Sequence, residues 1–377
     1  MTRRAAPKSG PPMRPEDLPQ TVEDYRRAAG AALPPATAAW LNGGAGDEIT
    51  LRRNEAAFDA LPLMPRVLRD GGSCDTSLTL LGTRLDHPIL VAPMAWQRLL
   101  HPDAERALAA GATAQGARMV LSAQATTPLA EARGAGALCD WFQLYWLGRE
   151  GTLALARRAA DAGYAALMLT VDAPVAGQRP REMRAGFALP PDLSPVNLAG
   201  LPRPAAGSFE EVMAAAPRWA DLEWLCAAAP LPVLAKGILH PGDAARAVAA
   251  GAAGVVVSNH GGRVLDGLPA SVEALPAVAS ALAGRAPVLV DGGIRRGTDV
   301  LRALALGADA VMVGRPAAWG LAVAGALGVA HVLRLLRDEL RIAMAIAGCR
   351  SPRDIGPSLI FRQNPPEGCL TASSQAK

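Results

Sequence analysis

The hydrophobic positions of the chain recur as one repeated unit. In each copy an alanine-rich stretch with helical spacing ends at a glycine, a short run of aliphatic residues follows, and a polar loop comes next. Four copies are easily seen, at 157–174, 245–262, 281–293 and 301–316. The glycine occupies the position of a helix C-cap, and the apolar run is typical of a strand buried on both faces.

Eight apolar runs of this kind predict eight strands. They lie at 87–93, 118–123, 139–145, 165–171, 231–237, 254–259, 286–292 and 310–315. Helical patterns separate most of them, so the α/β fold predicted is a (β/α)₈ TIM barrel with its working residues at the carboxyl ends of the strands. A doubly wound open sheet is the alternative, but it rarely needs eight such units.

Two long segments interrupt this regularity, and two tails flank it. Residues 21–86 are predicted to form small helices that cap one end of the barrel. Residues 175–230 are rich in proline and arginine, and an interval of that length after a barrel strand is usually an active-site lid. We expect one domain over 21–364, between a flexible N-terminal tail (1–20) and a flexible C-terminal tail (365–377).

Composition narrows the functional class. The chain has 377 residues, of which 50% are hydrophobic and 19% charged, so it can bury a full core. Its net charge of +4 is spread along the chain, which argues against a nucleic-acid partner and fits a small anionic substrate. Five scattered cysteines without a CxxC pair argue against a disulfide framework and against a metal site, so we expect a cytoplasmic protein.

Membrane association is not expected either. The N-terminus has two arginines but no apolar run behind them, unlike a secretory signal. The most apolar late stretch, Leu321 to Leu336, is too short to span a bilayer and contains His331.

The ends of the last two predicted strands resemble a barrel phosphate site. The sequences DGGIRRG and GRP provide glycines, backbone N–H donors near a helix start, and the cations Arg295 and Arg315. The alternative is that these glycines only form tight turns between strand and helix.

Two further strand ends carry reactive groups. Lys236 ends an apolar strand, and a lysine that faces a barrel interior needs an anion or a chemical role. It could form a Schiff base or lie beside a cofactor that becomes anionic. His260 lies in the polar turn SNHGGR with Arg263, a base next to a cation that can hold a carboxylate, and Asp172 could orient its imidazole.

Together these residues resemble the FMN-dependent α-hydroxy acid oxidase/dehydrogenase family, which includes glycolate oxidase, lactate oxidase and mandelate dehydrogenase. The resemblance runs from about residue 20 to about 355 and is most specific in SNHGGRVLDG, DGGIRRGTDV and LALGADAVMVGRP. WFQLYW and LTVDAP support it. The regions VAPMAWQRLLHP and WFQLYWL are most similar to bacterial mandelate and hydroxymandelate oxidases.

The resemblance implies FMN as cofactor and a role for each matching position. His260 is then the base, with Asp172 behind it, and Tyr145 hydrogen-bonds the substrate oxygen. Arg179 and Arg263 bind the substrate carboxylate, and Lys236 stabilises the reduced flavin. The remaining FMN contacts implied are Pro93, Met94, Ala95, Ser122, Gln143, Thr170, Ser258, Asp291, Gly293, Arg295, Gly314 and Arg315.

Two positions depart from the glycolate oxidase pattern. Trp40 stands where that enzyme has a tyrosine that helps to hold the carboxylate, and Gln124 stands where it has a tryptophan over the substrate. We therefore place both residues in the substrate site and expect a larger, aryl substrate such as (S)-mandelate. The alternative is that Trp40 simply packs at the rim.

The expected reaction is oxidation of an (S)-2-hydroxy acid to a 2-oxo acid. At position 95, beside the flavin, the chain has alanine rather than glycine, which resembles the oxidases of the family more than the mandelate dehydrogenases. We therefore expect O2 as the electron acceptor and H2O2 as a product. The family also suggests a homotetramer. Three alternatives remain: a dehydrogenase of lactate or glycolate with another acceptor, a flavoprotein of the same fold acting on a different substrate class, and a Schiff-base aldolase that uses Lys236.

Overall fold

The computed structural model describes residues 14–69, 74–202 and 207–361. Its centre is a sheet of eight parallel strands, β3 to β10, one for each predicted run. They are Ile89–Val91, Val120–Ser122, Trp141–Leu144, Ala166–Thr170, Val233–Ile238, Gly254–Val257, Val288–Asp291 and Ala310–Val313. The strands follow one another round the sheet, β10 pairs with β3, and a bridge between Val91 and Met119 joins β3 to the start of β4. The predicted barrel is confirmed.

Six of the eight strands begin one or two residues after the start of the apolar run that predicted them, and β8 and β10 begin with their runs. Seven of the eight runs extend past the strand end; β7 is the exception, since it continues to Ile238, one residue beyond its run. The polar strand ends therefore belong to the loops that follow. This difference matters for the site, because loop backbone can turn its N–H groups toward a ligand.

Helices surround the barrel, and most of them connect consecutive strands. The connecting helices are α4 (Ala104–Thr113), α5 (Leu129–Ala135), α6 (Gly148–Asp161), α9 (Trp219–Ala228), α10 (Pro241–Ala249), α11 (Ser271–Leu282) and α12 (Gly297–Ala305). In α12 the buried residues Val300, Leu301 and Leu304 follow helical spacing and form the face packed on the barrel.

The last helix, α13 (Arg315–Ile346), contains the apolar stretch 321–336. With 32 residues it is longer than that stretch predicted, and by length and composition alone it could cross a membrane. Half of its most apolar window is buried, and the helix packs on α4, α12 and the first helix of the chain. It bends at Ala324 and Gly325, where the backbone leaves helical geometry. These contacts are those of a core helix.

The segment before the barrel covers both of its ends rather than one. Helices α1 (Val22–Ala32), α2 (Pro35–Asn42) and α3 (Ile49–Asp59) come first, and α2 and α3 reach the carboxyl ends of the strands. A hairpin of β1 (Leu78–Leu80) and β2 (Thr83–Leu85) was not predicted. Its leucines, Leu80 and Leu85, pack against the lower barrel interior and close the opposite end.

The predicted lid is also partly wrong. Before Trp219, the part of it that the structure describes contains only α7 (Pro180–Arg184), the 3-10 turn Val196–Leu198 and the short α8 (Phe209–Ala214), which is consistent with an insertion over the site. Its last part forms α9, an ordinary barrel helix that packs on α6 and α10. The insertion therefore ends before Trp219.

The two predicted tails fall mostly outside the described residues, which exclude 1–13 and 362–377. Residues 14–20 are described: Pro15–Asp17 forms a 3-10 turn and Leu18 is buried in the core. The compact part of the chain thus begins a few residues before the predicted boundary at residue 21.

Candidate active site

A cavity partly open to solvent lies at the carboxyl ends of the barrel strands, and its empty space, including the open solvent at its mouth, is about 1140 Å³. Its floor consists of the last inward-facing residues of the strands, so side chains from neighbouring strands lie in one layer. Strand register places Ser122 beside Gln143 and Thr170 beside Lys236. The layers below hold apolar side chains, whereas this layer is largely polar.

All but two of the residues predicted for the site line this cavity. They are Trp40, Pro93, Met94, Ala95, Ser122, Gln124, Gln143, Tyr145, Thr170, Arg179, Lys236, His260, Arg263, Asp291, Gly293, Arg295, Gly314 and Arg315. The two exceptions, Asp172 and Ser258, lie directly behind it. Asp172 contacts His260, and the hydroxyl of Ser258 accepts hydrogen bonds from Lys236 Nζ and the His260 backbone N–H.

His260 and Asp172 form a dyad at the edge of the cavity. His260 Nδ1 lies 3.1 Å from Asp172 Oδ1, which leaves Nε2 free to act on a bound molecule. The residue adopts φ 58°, a left-handed backbone that costs about 1–3 kcal/mol outside glycine and often marks a functional position. Burial raises the pKa of Asp172, but the hydrogen bond and charge of His260 outweigh it, so that pKa is lowered and the carboxylate is ionised.

Lys236 is buried and tightly paired. Its Nζ lies 3.0 Å from Asp291 Oδ2 and donates to Ser258 Oγ at 2.9 Å. Burial alone would lower the pKa of Lys236, but Asp291 and Asp172 outweigh it, and the pKa is raised. A Schiff-base lysine must lose its proton before it attacks a carbonyl. The geometry therefore favours a fixed cation and disfavours the aldolase alternative.

Three groups converge at the mouth of the cavity, and an unpredicted carboxylate joins two of them. Glu182 Oε2 lies 2.9 Å from Arg179 Nε, and Glu182 Oε1 accepts from Arg263 Nη2 at 2.9 Å. Arg263 Nη1 also donates to the carbonyl of Trp40 at 2.7 Å. Nearby, burial raises the pKa of Tyr145, so its phenol keeps its proton and can donate a hydrogen bond.

The opposite end of the cavity is strongly cationic. Arg315 donates to the backbone carbonyls of Leu41, Gly43 and Gly261, and the described residues give it no carboxylate partner. Burial, together with Arg263 and Arg295, lowers the pKa of Arg315 to about 9. A bound anion would relieve this repulsion.

The loop after β9 brings its backbone close to this cationic end. Gly293 has φ 88°, and a Cβ there would lie 1.9 Å from the carbonyl oxygen of Asn54, so no other residue fits. Asp299 accepts from the backbone N–H groups of Arg295 and Arg296 at 3.0 Å each and fixes the start of α12. Arg295 itself pairs with Glu55 at 2.9 Å.

The donors and acceptors of the cavity fit FMN. Within the described residues, Asp291 Oδ1 and Arg295 Nε are buried polar atoms that have no partner. An acceptor in the middle of the cavity and cations at its end match the hydroxyls and the phosphate of this cofactor. Ser122, Gln143 and Thr170 would face its ring system, and Lys236 would supply positive charge beside it.

Trp40 and Gln124 both reach the cavity, but Trp40 also packs. Its ring stacks on Phe187 from the loop after α7, with centroids 5.8 Å apart and planes inclined by 17°, and the guanidinium of Arg263 lies 5.8 Å from its centroid. Trp96, which was not predicted, lines the same cavity and has a left-handed backbone with φ 58°. Two tryptophans therefore line the cavity.

Sequence reasoning missed Glu182 for an identifiable reason. Its importance depends on Arg263, which is 81 residues away and reaches it only in the folded barrel. A local signal existed, because Glu182 follows Arg179 by three residues across the start of a helix marked by Pro180. Trp96 also had a local signal, since it directly follows the predicted contact Ala95 and lies within VAPMAWQRLLHP.

Comparison with known proteins gives a consistent result. The family model described as FMN-dependent dehydrogenase matches residues 29–362. The chain is 47% identical to an L-lactate oxidase of Roseobacter sp. (strain GAI101), covering 92% of this chain and 96% of that protein. It is 43% identical to the peroxisomal (S)-2-hydroxy-acid oxidase GLO4 of Oryza sativa subsp. japonica, covering 92% and 97%.

Solved structures agree with these relatives. A crystal structure of mandelate oxidase with (S)-2-phenylpropionate superimposes with a TM-score of 0.84 at 43% identity, covering 91% of this chain and 98% of that one.

Proposed function

The chain belongs to the FMN-dependent dehydrogenase family, and from that premise we propose that it oxidises (S)-2-hydroxy acids to 2-oxo acids and passes the electrons to O2. FMN is its cofactor, and it is an oxidoreductase that acts on CH–OH donors. The observation that carries the proposal is the placement of the His260–Asp172 dyad and a pair of arginines around one cavity that fits FMN.

His260 is the base in this proposal. Because Asp172 holds Nδ1, Nε2 is the nitrogen that takes the proton from the substrate. The ionised Asp172 then stabilises the imidazolium that forms. Tyr145 donates a hydrogen bond to the substrate oxygen, which becomes the carbonyl oxygen of the product.

Arg179 and Arg263 hold the substrate carboxylate. Arg263 keeps N–H groups at Nε and Nη2 beyond those given to Trp40, Gly43 and Glu182, and a guanidinium edge can bind a carboxylate with two hydrogen bonds. When bound, FMN accepts the two electrons that leave the substrate carbon. Lys236, held as a cation by Asp291, supplies the positive charge that this transfer requires.

For the substrate side chain we propose an aryl group, as in (S)-mandelate. Support comes from Trp40 and Trp96 in the cavity wall, and from Gln124 at a position that a bulkier residue would fill. The second candidate is a small aliphatic hydroxy acid. It is favoured by the names of relatives at 47–49% identity, which are L-lactate oxidases.

Oxygen as acceptor rests on a similar argument. The relatives and structural neighbours reported above are named oxidases, and Ala95 lines the cavity here. Each turnover would then consume one O2 and release one H2O2.

The decisive experiment is an anaerobic absorbance spectrum of the FMN-loaded protein with (S)-mandelate, (R)-mandelate or (S)-lactate. Bleaching of the flavin band by (S)- but not (R)-mandelate, faster than by (S)-lactate, is the expected result. Faster bleaching by (S)-lactate would replace the aryl proposal with the aliphatic one. A band that no hydroxy acid bleaches would refute hydroxy acid oxidation. Where a hydroxy acid does bleach the band, air is then admitted, and return of the band with formation of H2O2 distinguishes O2 from other acceptors.

Gln124→Trp tests the side-chain space directly. The indole should occupy the room proposed for a phenyl ring, so kcat/KM for (S)-mandelate falls about tenfold or more while that for (S)-lactate changes little. Gln124→Met, of similar length to glutamine, is the matched control. An equal loss on both substrates in the tryptophan variant would remove Gln124 from the specificity argument.

A further inference from the structure

Glu182 is a buried carboxylate in a cavity that has to bind another carboxylate. Its side chain is 7% exposed, and each of its oxygens lies 2.9 Å from one of the two arginines proposed to bind substrate. The contact with Arg263 is a hydrogen bond, and the contact with Arg179 is an ion pair. The three side chains therefore carry a net charge of +1, since two guanidinium groups face one carboxylate. A net charge of +1 matches an anion with a single negative charge.

The geometry also gives Glu182 a positioning role. Arg179 and Glu182 come from the insertion after β6, whereas Arg263 comes from the loop after β8. Beside the His260–Asp172 pair, Glu182 is a second link between the two loops, and it lies at the mouth of the cavity. Burial lowers the pKa of Arg263, and the charge of Glu182 acts against that effect.

From these contacts we propose that Glu182 makes the site selective for 2-hydroxy monocarboxylates against 2-hydroxy dicarboxylates, and that it positions Arg179 and Arg263 for the single carboxylate. The inference rests on the proposed function and extends it to charge specificity. A second carboxylate on the substrate would be repelled by the negative charge of Glu182. The net charge of +1 on Arg179, Arg263 and Glu182 would already be balanced by the first carboxylate. Without Glu182 the two arginines would carry +2 and would accept a dianion.

Three substrates separate charge from shape. (S)-malate is (S)-lactate with one methyl hydrogen replaced by a carboxylate, and the 4-amide of (S)-malate has nearly the same shape without the second charge. The ratio of kcat/KM for malate to that for its amide therefore measures discrimination by charge alone. We expect this ratio to be well below one for the unaltered chain.

Two variants separate the charge of Glu182 from its position. In Glu182→Gln the charge is lost, so the malate-to-amide ratio should rise about tenfold, the scale of one nearby charge in a partly buried site. In Glu182→Asp the charge remains but the shorter side chain cannot reach both arginines. That variant should keep the ratio within about twofold of the unaltered chain while KM for lactate rises several-fold with little change in kcat.

Glu48→Gln is the matched control. Glu48 pairs with Arg181, the neighbour of Glu182 on the same short helix, but it does not line the cavity. Loss of that ion pair loosens the same helix without altering the charge of the site, so the malate-to-amide ratio should not move.

A ratio that stays constant in Glu182→Gln, or one that rises equally in Glu182→Asp or Glu48→Gln, would overturn the proposal. If no hydroxy acid is oxidised at all, the proposed function fails. The proposed discrimination by Glu182 between one and two carboxylates, here called the charge rule, can still be tested by measuring ligand binding. Calorimetric titration of the FMN-loaded protein with succinate and with its monoamide gives the corresponding affinity ratio. That ratio should rise about tenfold in Glu182→Gln, and an unchanged ratio would refute the rule independently of turnover.

Discussion

The two ends of the barrel treat buried charge in opposite ways. At the amino end, Arg118 and Asp140 form a bidentate pair with N–O distances of 2.7 and 2.9 Å, and the guanidinium stacks over Trp141. At the carboxyl end, burial together with Arg263 and Arg295 lowers the pKa of Arg315 to about 9. The first end is closed by apolar hairpin side chains, and the second is lined by polar ones.

This contrast separates stability from function within one domain. In the Arg118–Asp140 pair both carboxylate oxygens already accept hydrogen bonds from the protein, so a bound molecule could add little to it. Such a pair has a structural role. At the carboxyl end, Arg315 has no carboxylate partner among the described residues and His260 has a left-handed backbone, features that persist where the surrounding structure holds them and that often mark functional positions. Substitutions at the two ends should therefore affect different measurements, and four variants test this.

The largest effect is expected for His260→Ala. Without the base, reduction of the flavin by substrate should slow by about 10³- to 10⁴-fold, while FMN binding and the unfolding midpoint stay close to those of the unaltered chain. Rapid-mixing absorbance under anaerobic conditions measures the rate. His240→Asn is the control, because that exposed histidine caps α10 outside the cavity. Retained reduction in His260→Ala would refute its role as base.

At the other end, Arg118→Met should lower the free energy of unfolding by about 3–5 kcal/mol, because it leaves Asp140 buried without its partner. The rate per folded molecule should be unchanged. Adding Asp140→Leu should recover most of the loss, which denaturant titration would reveal. A change in KM for the single variant would contradict the separation of the two ends.

Leu80→Ala probes the hairpin that closes the amino end. Leu80 is buried against the lower barrel interior, so its truncation should cost about 2–3 kcal/mol, toward the lower part of the usual range because the hairpin can settle into the space. Leu81→Ala, on the same turn but only partly buried, is the control. If both variants lose equal stability, the hairpin is not a plug.

The smallest effect is expected for Arg263→Lys. A planar, two-pronged clamp becomes a point charge that cannot hold Glu182, Trp40 and a substrate together, so KM should rise and kcat/KM should fall about tenfold. The unfolding midpoint should move by less than in Leu80→Ala. Kinetics equal to those of the unaltered chain would remove Arg263 from the substrate site.

The barrel was predictable because its strands are buried on both faces, and such strands need continuous apolar runs that sequence shows directly. His260 and Lys236, at their carboxyl ends, followed from the same pattern, whereas Asp291 was implied only by the family resemblance. The hairpin was not predictable in this way. Its strands have three residues each, so neither LTL nor TRL is long enough to display a period.

The features that the sequence did not predict include contacts between residues that are far apart along the chain. Glu182 gains its role only through its contact with Arg263 in the folded barrel. Asp291 pairs with Lys236 only because their side chains, on strands β9 and β7, both point into the barrel. The helix α9 was hidden within an interval rich in proline and arginine, because its buried residues, Leu222 and Leu225, form too narrow a stripe to stand out.

The order in which ribosomes deliver the chain has a consequence for the closed barrel. Strand β3 pairs with β10, so the sheet can close only after residues 311–313 have been synthesised, long after residues 89–91. At about 5 residues per second, the slow limit of the usual range of about 5–20, the interval between synthesis of β3 and of β10 lasts tens of seconds. Throughout it β3 presents an open edge, and α1 lacks α13, its main packing partner. The nascent chain should therefore depend on chaperones late in synthesis, and truncations before residue 311 should aggregate rather than fold as smaller barrels.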